Sequence, residues 1–146
     1  MRDALAIRLS FVQRRAVDDE DTIDAPENSD GRLRDGEAIP LADESQDAVT
    51  SAFMFHELPP KVRRIVFAEL ARVLKRGGRL VLLDSLQIGD KPDYDGMLEL
   101  FPQSYHEPYF ASYLKEDFGA MASACGLTHV RDLNTFVSKV MIFDKP

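Results

Sequence analysis

Hydrophobic and polar positions predict a strand, a helix and a second strand in the middle of the chain. Residues 47–55 are nearly uncharged, as expected of a strand covered on both faces in a parallel sheet. Pro59 and Pro60 suit the first turn of a helix, where a missing N–H group costs nothing. Residues 79–85 form a second apolar run, so this order predicts a right-handed crossover between parallel strands. The apolar residues at helical spacing between the strands are Val62, Ile65, Val66, Leu70, Val73 and Leu74.

The predicted helix places its Lys and Arg side chains on the face opposite these apolar residues. Lys75 and Arg76 lie near its expected C-terminus, where the helix dipole favours cations. Gly77 and Gly78 supply a left-handed exit from the helix. We therefore expect the helix to include Lys75 and Arg76, and the second strand to begin at Arg79.

The C-terminal part predicts a loop, a helix and a hairpin. Residues 86–111 have no clear period, and we expect a long irregular loop at the carboxyl end of the second strand, where open α/β sheets carry substrate contacts. Residues 114–125 carry an apolar stripe at helical spacing, and Gly126 ends that helix. Residues 127–133 and 136–143 are apolar runs that predict an antiparallel hairpin.

The N-terminal segment differs in composition from the rest of the chain. Residues 4–17 are apolar and basic, and their spacing fits a strand or a helix equally well. Residues 18–30 hold seven acids and no Lys or Arg, which predicts a mobile loop, with an acidic docking tail as the alternative. The chain is therefore expected to divide into an atypical segment, residues 1–36, and a regular part, residues 37–146.

Charge and cysteine content narrow the classes of function. The 146 residues carry 18 basic and 25 acidic side chains, a net charge of −7, which argues against nucleic-acid binding. No apolar run approaches the ~20 residues of a membrane helix. The N-terminus has no apolar stretch followed by a small-residue cleavage site, and the single cysteine, Cys125, favours a reducing compartment. We expect a cytoplasmic protein that binds neither nucleic acid nor membranes.

Three short motifs follow one another between residues 35 and 80. They are DGEAIPL at residues 35–41, DESQDAV at 43–49 and ELARVLKRGGRL at 69–80. In this order they resemble the D-A-E-x-L-P-F, D-x-S-F-D-x-V and E-x-x-R-V-L-K-P-G-G-x-L motifs of class I S-adenosylmethionine-dependent methyltransferases (type-11-like). Arg76 stands in the place of the proline. The resemblance covers residues 34–146.

The resemblance implies an α/β fold, the C-terminal half of a Rossmann-like methyltransferase sheet with a parallel βαβ core, a helix and an antiparallel hairpin. The family holds its methyl donor with a glycine-rich turn after the first strand. This chain has no G-x-G, and its first glycine is Gly31. The family's fourth strand lies against its first, so the edge of residues 47–55 is expected to be covered by the N-terminal segment, a second copy or another polypeptide. A symmetric homodimer is the simplest closure.

The resemblance also implies residues for the cofactor. Asp35 and Gly36 align with the adenine contact of S-adenosylmethionine, where a carboxylate accepts from the amino group and a backbone N–H meets a ring nitrogen. Each could equally be part of a surface turn. Phe53 lies where residues border the cofactor, or it packs in the core.

Two histidines are candidate catalytic residues. His56 follows the carboxyl end of the first predicted strand, and it is a general base or a residue that orients the next helix. The sequence His56-Glu57 lacks the second histidine of H-E-x-x-H, so no metal site is expected. His106 lies in the long loop as a second candidate base. The loop residues Tyr105, Glu107 and Tyr109 suit an apolar or aromatic acceptor, unless they only cover the end of the sheet.

The leading hypothesis is a methyltransferase that transfers a methyl group from a sulfonium to an unidentified small-molecule acceptor. The alternative is a non-catalytic, oligomerising interaction module that kept the sheet and lost the cofactor pocket. A nicotinamide oxidoreductase is disfavoured because the chain has no G-x-G-x-x-G.

Overall fold

The computed structural model describes the backbone of residues 8–12 and the whole of residues 37–146. Within these ranges the strands are β1 (Arg8–Val12), β2 (Gln46–Ala52), β3 (Leu74–Ser85), β4 (Thr128–Asn134) and β5 (Ser138–Asp144). The helices are α1 (Pro60–Val73), α2 (Asp95–Tyr105), α3 (Phe110–Tyr113) and α4 (Phe118–Ala124), with short 3₁₀ turns at Phe55–Glu57 and Pro92–Tyr94. The acidic residues 18–30 lie outside the described residues, as do Asp35 and Gly36.

The strands form one mixed sheet in the order β1-β2-β3-β5-β4. β2 and β3 are parallel, with Val49 opposite Leu80, and α1 forms the crossover between them. β5 pairs antiparallel with both β3 and β4. The structure therefore confirms the predicted partial Rossmann-like fold, in which a parallel βαβ core is followed by a helix and an antiparallel hairpin.

β1 lies on the outer edge of β2. It runs antiparallel to β2, from Arg8 opposite Ala52 to Val12 opposite Ala48. The sequence left strand and helix open for residues 4–17, and the backbone of residues 8–12 is a strand. The N-terminal segment, one of the three polypeptides expected to cover the edge of β2, thus pairs with that edge. The homodimer stays a prediction.

The end of α1 differs from the prediction. Leu74 pairs with Gln46 and is fully buried, so the chain has already joined the sheet and neither Lys75 nor Arg76 is helical. β3 accordingly begins at Leu74 and not at Arg79. A Cβ at Gly78 would lie 2.8 Å from Leu74 Cδ1 and 2.9 Å from the Asp47 carbonyl oxygen, so this close approach of β3 to β2 requires glycine.

The core lies between α1, α4 and one face of the sheet. Leu80 and Leu82 of β3 and Phe143 of β5 are fully buried on that face. Phe67 of α1 packs edge-on against Phe143, with the ring centroids 5.5 Å apart, and lies 6.4 Å from the ring of Phe118 in α4. This packing fixes α1 over one face of the sheet.

The prediction of an irregular loop at residues 86–111 is wrong, because this segment contains α2 and α3. α2 buries Leu98 but exposes Met97, Leu100 and Phe101. Its apolar residues do have helical spacing, yet they face away from the core, and Pro102 lies inside the helix. No helix of the described residues is long and apolar enough to cross a membrane.

Candidate functional site

The carboxyl ends of β2 and β3 are bordered by a sharp turn. Phe53 donates its backbone N–H to the Leu83 carbonyl (2.8 Å) and then takes the left-handed conformation (φ +50°), which is uncommon for a side chain of this size. The 3₁₀ turn Phe55–Glu57 follows and is anchored by the buried ring of Phe55. This turn carries His56 over the end of β3, beside Asp84.

His56 and Asp84 form a hydrogen-bonded pair. His56 Nδ1 lies 2.6 Å from Asp84 Oδ1. Asp84 is 1% exposed and also accepts from the backbone N–H groups of Phe55 and Ser85, both at 2.8 Å. A carboxylate only accepts, so this hydrogen bond requires a proton on Nδ1, and the neutral form of His56 then carries its lone pair on Nε2. His56 Nε2 lies 3.5 Å from Glu57 Oε1.

Three ionisable side chains shift the pKa of His56. Burial disfavours the imidazolium, but the hydrogen bond and charge of Asp84, with the charges of Glu57 and Glu107, outweigh it and raise the pKa of His56 above its ordinary value. Burial, opposed by His56 and reinforced by Glu107 and Asp84, raises the pKa of Glu57. Burial and the charge of Asp84 raise the pKa of Tyr113 well above its ordinary value, so this hydroxyl stays neutral. The imidazole is therefore the group suited to exchange a proton near neutral pH.

Aromatic rings form one wall of this site. Phe110 and Tyr113 lie edge-on to His56, with ring centroids 5.8 and 6.1 Å from the imidazole. Phe101 lies 4.9 Å from Phe110 and stacks with Tyr105 at 4.6 Å. A series of rings therefore leads from the half-buried imidazole to the exposed Tyr105.

The predicted site residues occupy different positions around this crevice. His106 is exposed in the left-handed conformation (φ +55°) after α2, and no contact with His56 is found among the described residues. Glu107 acts on His56 through its charge. The Tyr109 carbonyl accepts from Arg63. The ring of Phe53 is exposed, at the carboxyl end of β2, and does not pack in the core.

Three residues that contribute to the site were not predicted. Phe110 and Tyr113 belong to a segment whose helical turn was not expected, although their spacing of three residues is a helical signal. Arg63 was expected on the solvent face of α1, but it is fully buried and contacts the turn that carries His56. The sequence carries no signal for this burial, because Arg63 is next to other basic residues on α1 and its position in the pattern does not distinguish a buried from an exposed arginine.

A cavity of about 390 Å³ lies beside β4 and β5, away from His56. Its buried Lys139 is already paired with Asp90 (3.1 Å) and Asp132 (3.5 Å). The described residues contain no group of His, Cys, Asp and Glu side chains placed to hold a metal ion. The His56–Asp84 crevice is therefore the better candidate for chemistry.

Comparisons with known proteins find similarity to methyltransferases. The methyltransferase domain family matches residues 5–82 of this chain. A demethylmenaquinone methyltransferase from Thermotoga maritima is 38% identical over 101 residues, which is 64% of this chain and 43% of the relative. This chain therefore spans less than half the length of that relative.

Solved structures share the fold. A SAM-dependent methyltransferase from Methanosarcina mazei superposes with a TM-score of 0.55 at 18% identity, over 77% of this chain and 65% of the other. An O-methyltransferase family protein from Burkholderia thailandensis gives 0.53 at 15% identity, over 73% and 31%. At these identities the likeness shows the fold alone.

The described residues do not form the donor cradle that the resemblance implies. A turn of backbone amides at this rim, formed by the carboxyl ends of β2 and β3, would follow the carboxyl end of a parallel strand next to β2. β1 is antiparallel, and its first residue, Arg8, lies opposite Ala52 at this end of the sheet. The carboxyl end of β1 therefore lies beside the amino end of β2, away from this rim. The described residues thus do not fit S-adenosylmethionine by themselves.

Proposed function

The chain belongs to the methyltransferase domain family, and from this premise we propose that it takes part in methyl transfer from S-adenosylmethionine to a small-molecule acceptor, with the described residues supplying the acceptor side. The observation that carries the proposal is the His56–Asp84 pair at the carboxyl ends of two parallel strands. Open α/β sheets bind their ligands at this rim.

His56 acts as the general base of this site. Asp84 holds Nδ1 as a donor, so the Nε2 lone pair accepts the proton of an acceptor hydroxyl or amine. The raised pKa of His56 makes Nε2 a stronger base than an ordinary histidine. Asp84 stabilises the imidazolium that results, which is the role of a buried carboxylate behind a catalytic histidine.

The acceptor is an aromatic molecule without an anionic group near its reacting atom. The rings of Phe110 and Phe101 favour a flat apolar body. The negative charges of Glu57 and Glu107 act on His56 and disfavour a second anion in the crevice. The name of the Thermotoga maritima relative gives demethylmenaquinone, an aromatic molecule, as its substrate, which supports this class.

A methyl-transfer assay with radiolabelled S-adenosylmethionine tests the proposal. The acceptors are neutral phenols and hydroquinones, compared with carboxylic acids of the same ring structure. We expect labelled product with the neutral acceptors, and a loss in kcat of about 10²–10⁴-fold in His56→Gln, the range of a general base. His129→Gln is the matched control, because His129 pairs with Asp132 at 2.7 Å on β4, away from the crevice. Full activity of His56→Gln would overturn the role of His56.

The second candidate is a non-catalytic, oligomerising interaction module. The antiparallel β1 favours it, because the strand that takes the edge of β2 brings no donor cradle with it. Calorimetry with S-adenosylhomocysteine separates the two functions. Absence of heat at millimolar ligand, together with no labelled product from any acceptor, supports the module, whereas binding supports the enzyme.

A cytoplasmic location remains part of the proposal. Cys125 is half-buried in this chain, and burial raises the pKa of its thiol, which keeps the group protonated and unreactive. A reducing compartment suits such a thiol. Fractionation of the source cells with an antibody against the chain tests the location, and recovery from the external medium would contradict it.

A further inference from the structure

Arg63 is the charged side chain that the described residues bury completely. It lies in α1, is 0% exposed, and its immediate neighbour Arg64 has a side chain that is 65% exposed. Burial of a charge is costly unless the charge is paired and its donors are satisfied. A fully buried guanidinium therefore needs partners that the rest of the structure supplies.

Arg63 binds the turn that carries His56 at both of its ends. Nε donates to the Phe55 carbonyl at 3.0 Å, and Nη2 donates to the Leu58 carbonyl at 3.0 Å. These carbonyls lie immediately before His56 and two residues after it in the chain. The guanidinium thus spans the turn from inside the protein, opposite to the crevice that the imidazole borders.

Arg63 also binds the segment that forms the aromatic wall. Nη1 donates to Glu116 Oε2 at 2.6 Å, and Nη2 lies 3.3 Å from Ser112 Oγ and 3.4 Å from the Tyr109 carbonyl oxygen. Its guanidinium carbon lies 5.7 Å from the centre of the Tyr113 ring. The rings of Phe110 and Tyr113, which contact His56, belong to this segment.

We propose that Arg63 is a positioning residue that holds the His56 turn and the aromatic wall in one fixed arrangement around the imidazole. The inference rests on the proposed function only in taking His56 as the catalytic base. A guanidinium presents five donors in a planar fork, and one side chain can therefore reach carbonyls of two segments and a carboxylate together. A lysine keeps the charge but offers three donors from a single atom, so it cannot hold all of these partners.

Arg63→Lys, with Arg64→Lys as the matched control, tests the inference by NMR titration of the His56 imidazole. Arg64 is adjacent and lies 3.6 Å from the other oxygen of Glu116, but it is exposed. In Arg63→Lys we expect the imidazole to lose its preference for the proton on Nδ1 and its titration to move towards that of an ordinary histidine. Arg64→Lys should titrate as the wild type does. The ionisable groups Asp84, Glu57, Glu107 and Tyr113 are unchanged in both variants.

Kinetics and stability separate positioning from a merely structural role. We expect kcat of Arg63→Lys to fall by tenfold or more, towards the ~10²-fold loss that a 1 Å misplacement causes. An Arg63→Lys protein that unfolds more easily but keeps the wild-type His56 titration and tautomer would overturn the inference. If Arg63→Lys does not fold, Glu116→Gln removes one ionic partner and must shift the same titration in the same direction. The NMR titration of His56 needs no substrate, so it tests the role of Arg63 independently of catalysis. The activity of His56→Gln tests the proposed function.

Discussion

Replacing Asp84 by asparagine removes one negative charge from a buried carboxylate that accepts three hydrogen bonds. The partners are His56 Nδ1 at 2.6 Å and the backbone N–H groups of Phe55 and Ser85 at 2.8 Å. The asparagine amide accepts through one oxygen only, and its NH₂ group must then face a donor. The substitution therefore loses a charge-assisted hydrogen bond and leaves a buried donor without a partner.

These two losses determine how far the free energy of unfolding should fall. A charge-assisted hydrogen bond contributes about 1.5–3 kcal/mol and an unsatisfied buried group costs ~1–3 kcal/mol, so we expect the free energy of unfolding to fall by about 3–5 kcal/mol. For a domain of this size that corresponds to a Tm lower by roughly 6–20 °C. Urea unfolding followed by circular dichroism measures the change.

The pH dependence of the same variant gives an independent check. The pKa of His56 is raised in the folded protein, so its stabilising contribution is complete below the ordinary value of ~6.5 and is lost as pH rises through the folded value. Wild-type stability should therefore decline across that window, and the decline should shrink in Asp84→Asn. Asp144→Asn is the control, because its pair with Arg79 is exposed on both sides and only a small loss of stability is expected. Equal unfolding free energies and equal pH dependence in Asp84→Asn and wild type would refute the pairing.

Three further outcomes are expected. Gly78→Ala should lower the unfolding free energy by about 1–3 kcal/mol in urea titration, because its Cβ meets backbone oxygens at 2.8 and 2.9 Å, whereas Gly96→Ala, with open space around it, should not destabilise. Tyr105→Ala should raise KM for an aromatic acceptor severalfold while kcat holds, since its ring is 66% exposed and stacks on Phe101; a selective loss of kcat would contradict a binding role. The chain should elute as a homodimer in size-exclusion chromatography with light scattering, through β1, which is now the edge strand of the described sheet; a monomer at all concentrations would contradict the predicted homodimer.

The strands at residues 46–52 and 74–85 show how far the sequence pattern reaches. They correspond to the runs predicted at residues 47–55 and 79–85, and a parallel pair with an intervening helix is the arrangement such runs favour. The end of α1 was less predictable. Lys75 and Arg76 suit a last helical turn, but pairing of Leu74 with Gln46 satisfies backbone groups that the helix would otherwise use.

The site was predictable in its position and not in its contacts. His56 follows from the rule that ligands bind at the carboxyl ends of parallel strands, and β3 places Asp84 at the same end of the sheet. Their hydrogen bond depends on the left-handed conformation of Phe53, which turns the chain back over β3. Glycine and asparagine are the residues that usually predict this conformation, and neither stands at this position. The helix α2 was missed because Pro102, which lies inside it, favoured a loop, although its apolar residues have helical spacing.

The two halves of the proposed reaction make different demands on this chain. Among the described residues, the contacts that orient His56 come from residues between Phe53 and Glu116, so the proposed acceptor side lies within one continuous stretch. The donor side depends on what borders the outer edge of β2, which β1 covers with five antiparallel residue pairs; the described residues of this segment add no turn at the crevice. A short edge strand of this kind is stabilised by few backbone hydrogen bonds. The acceptor side should therefore keep its geometry whichever polypeptide holds the methyl donor, because Asp84, Arg63 and Phe110, which contact His56 or its turn, belong to β3, α1 and α3 and not to β1.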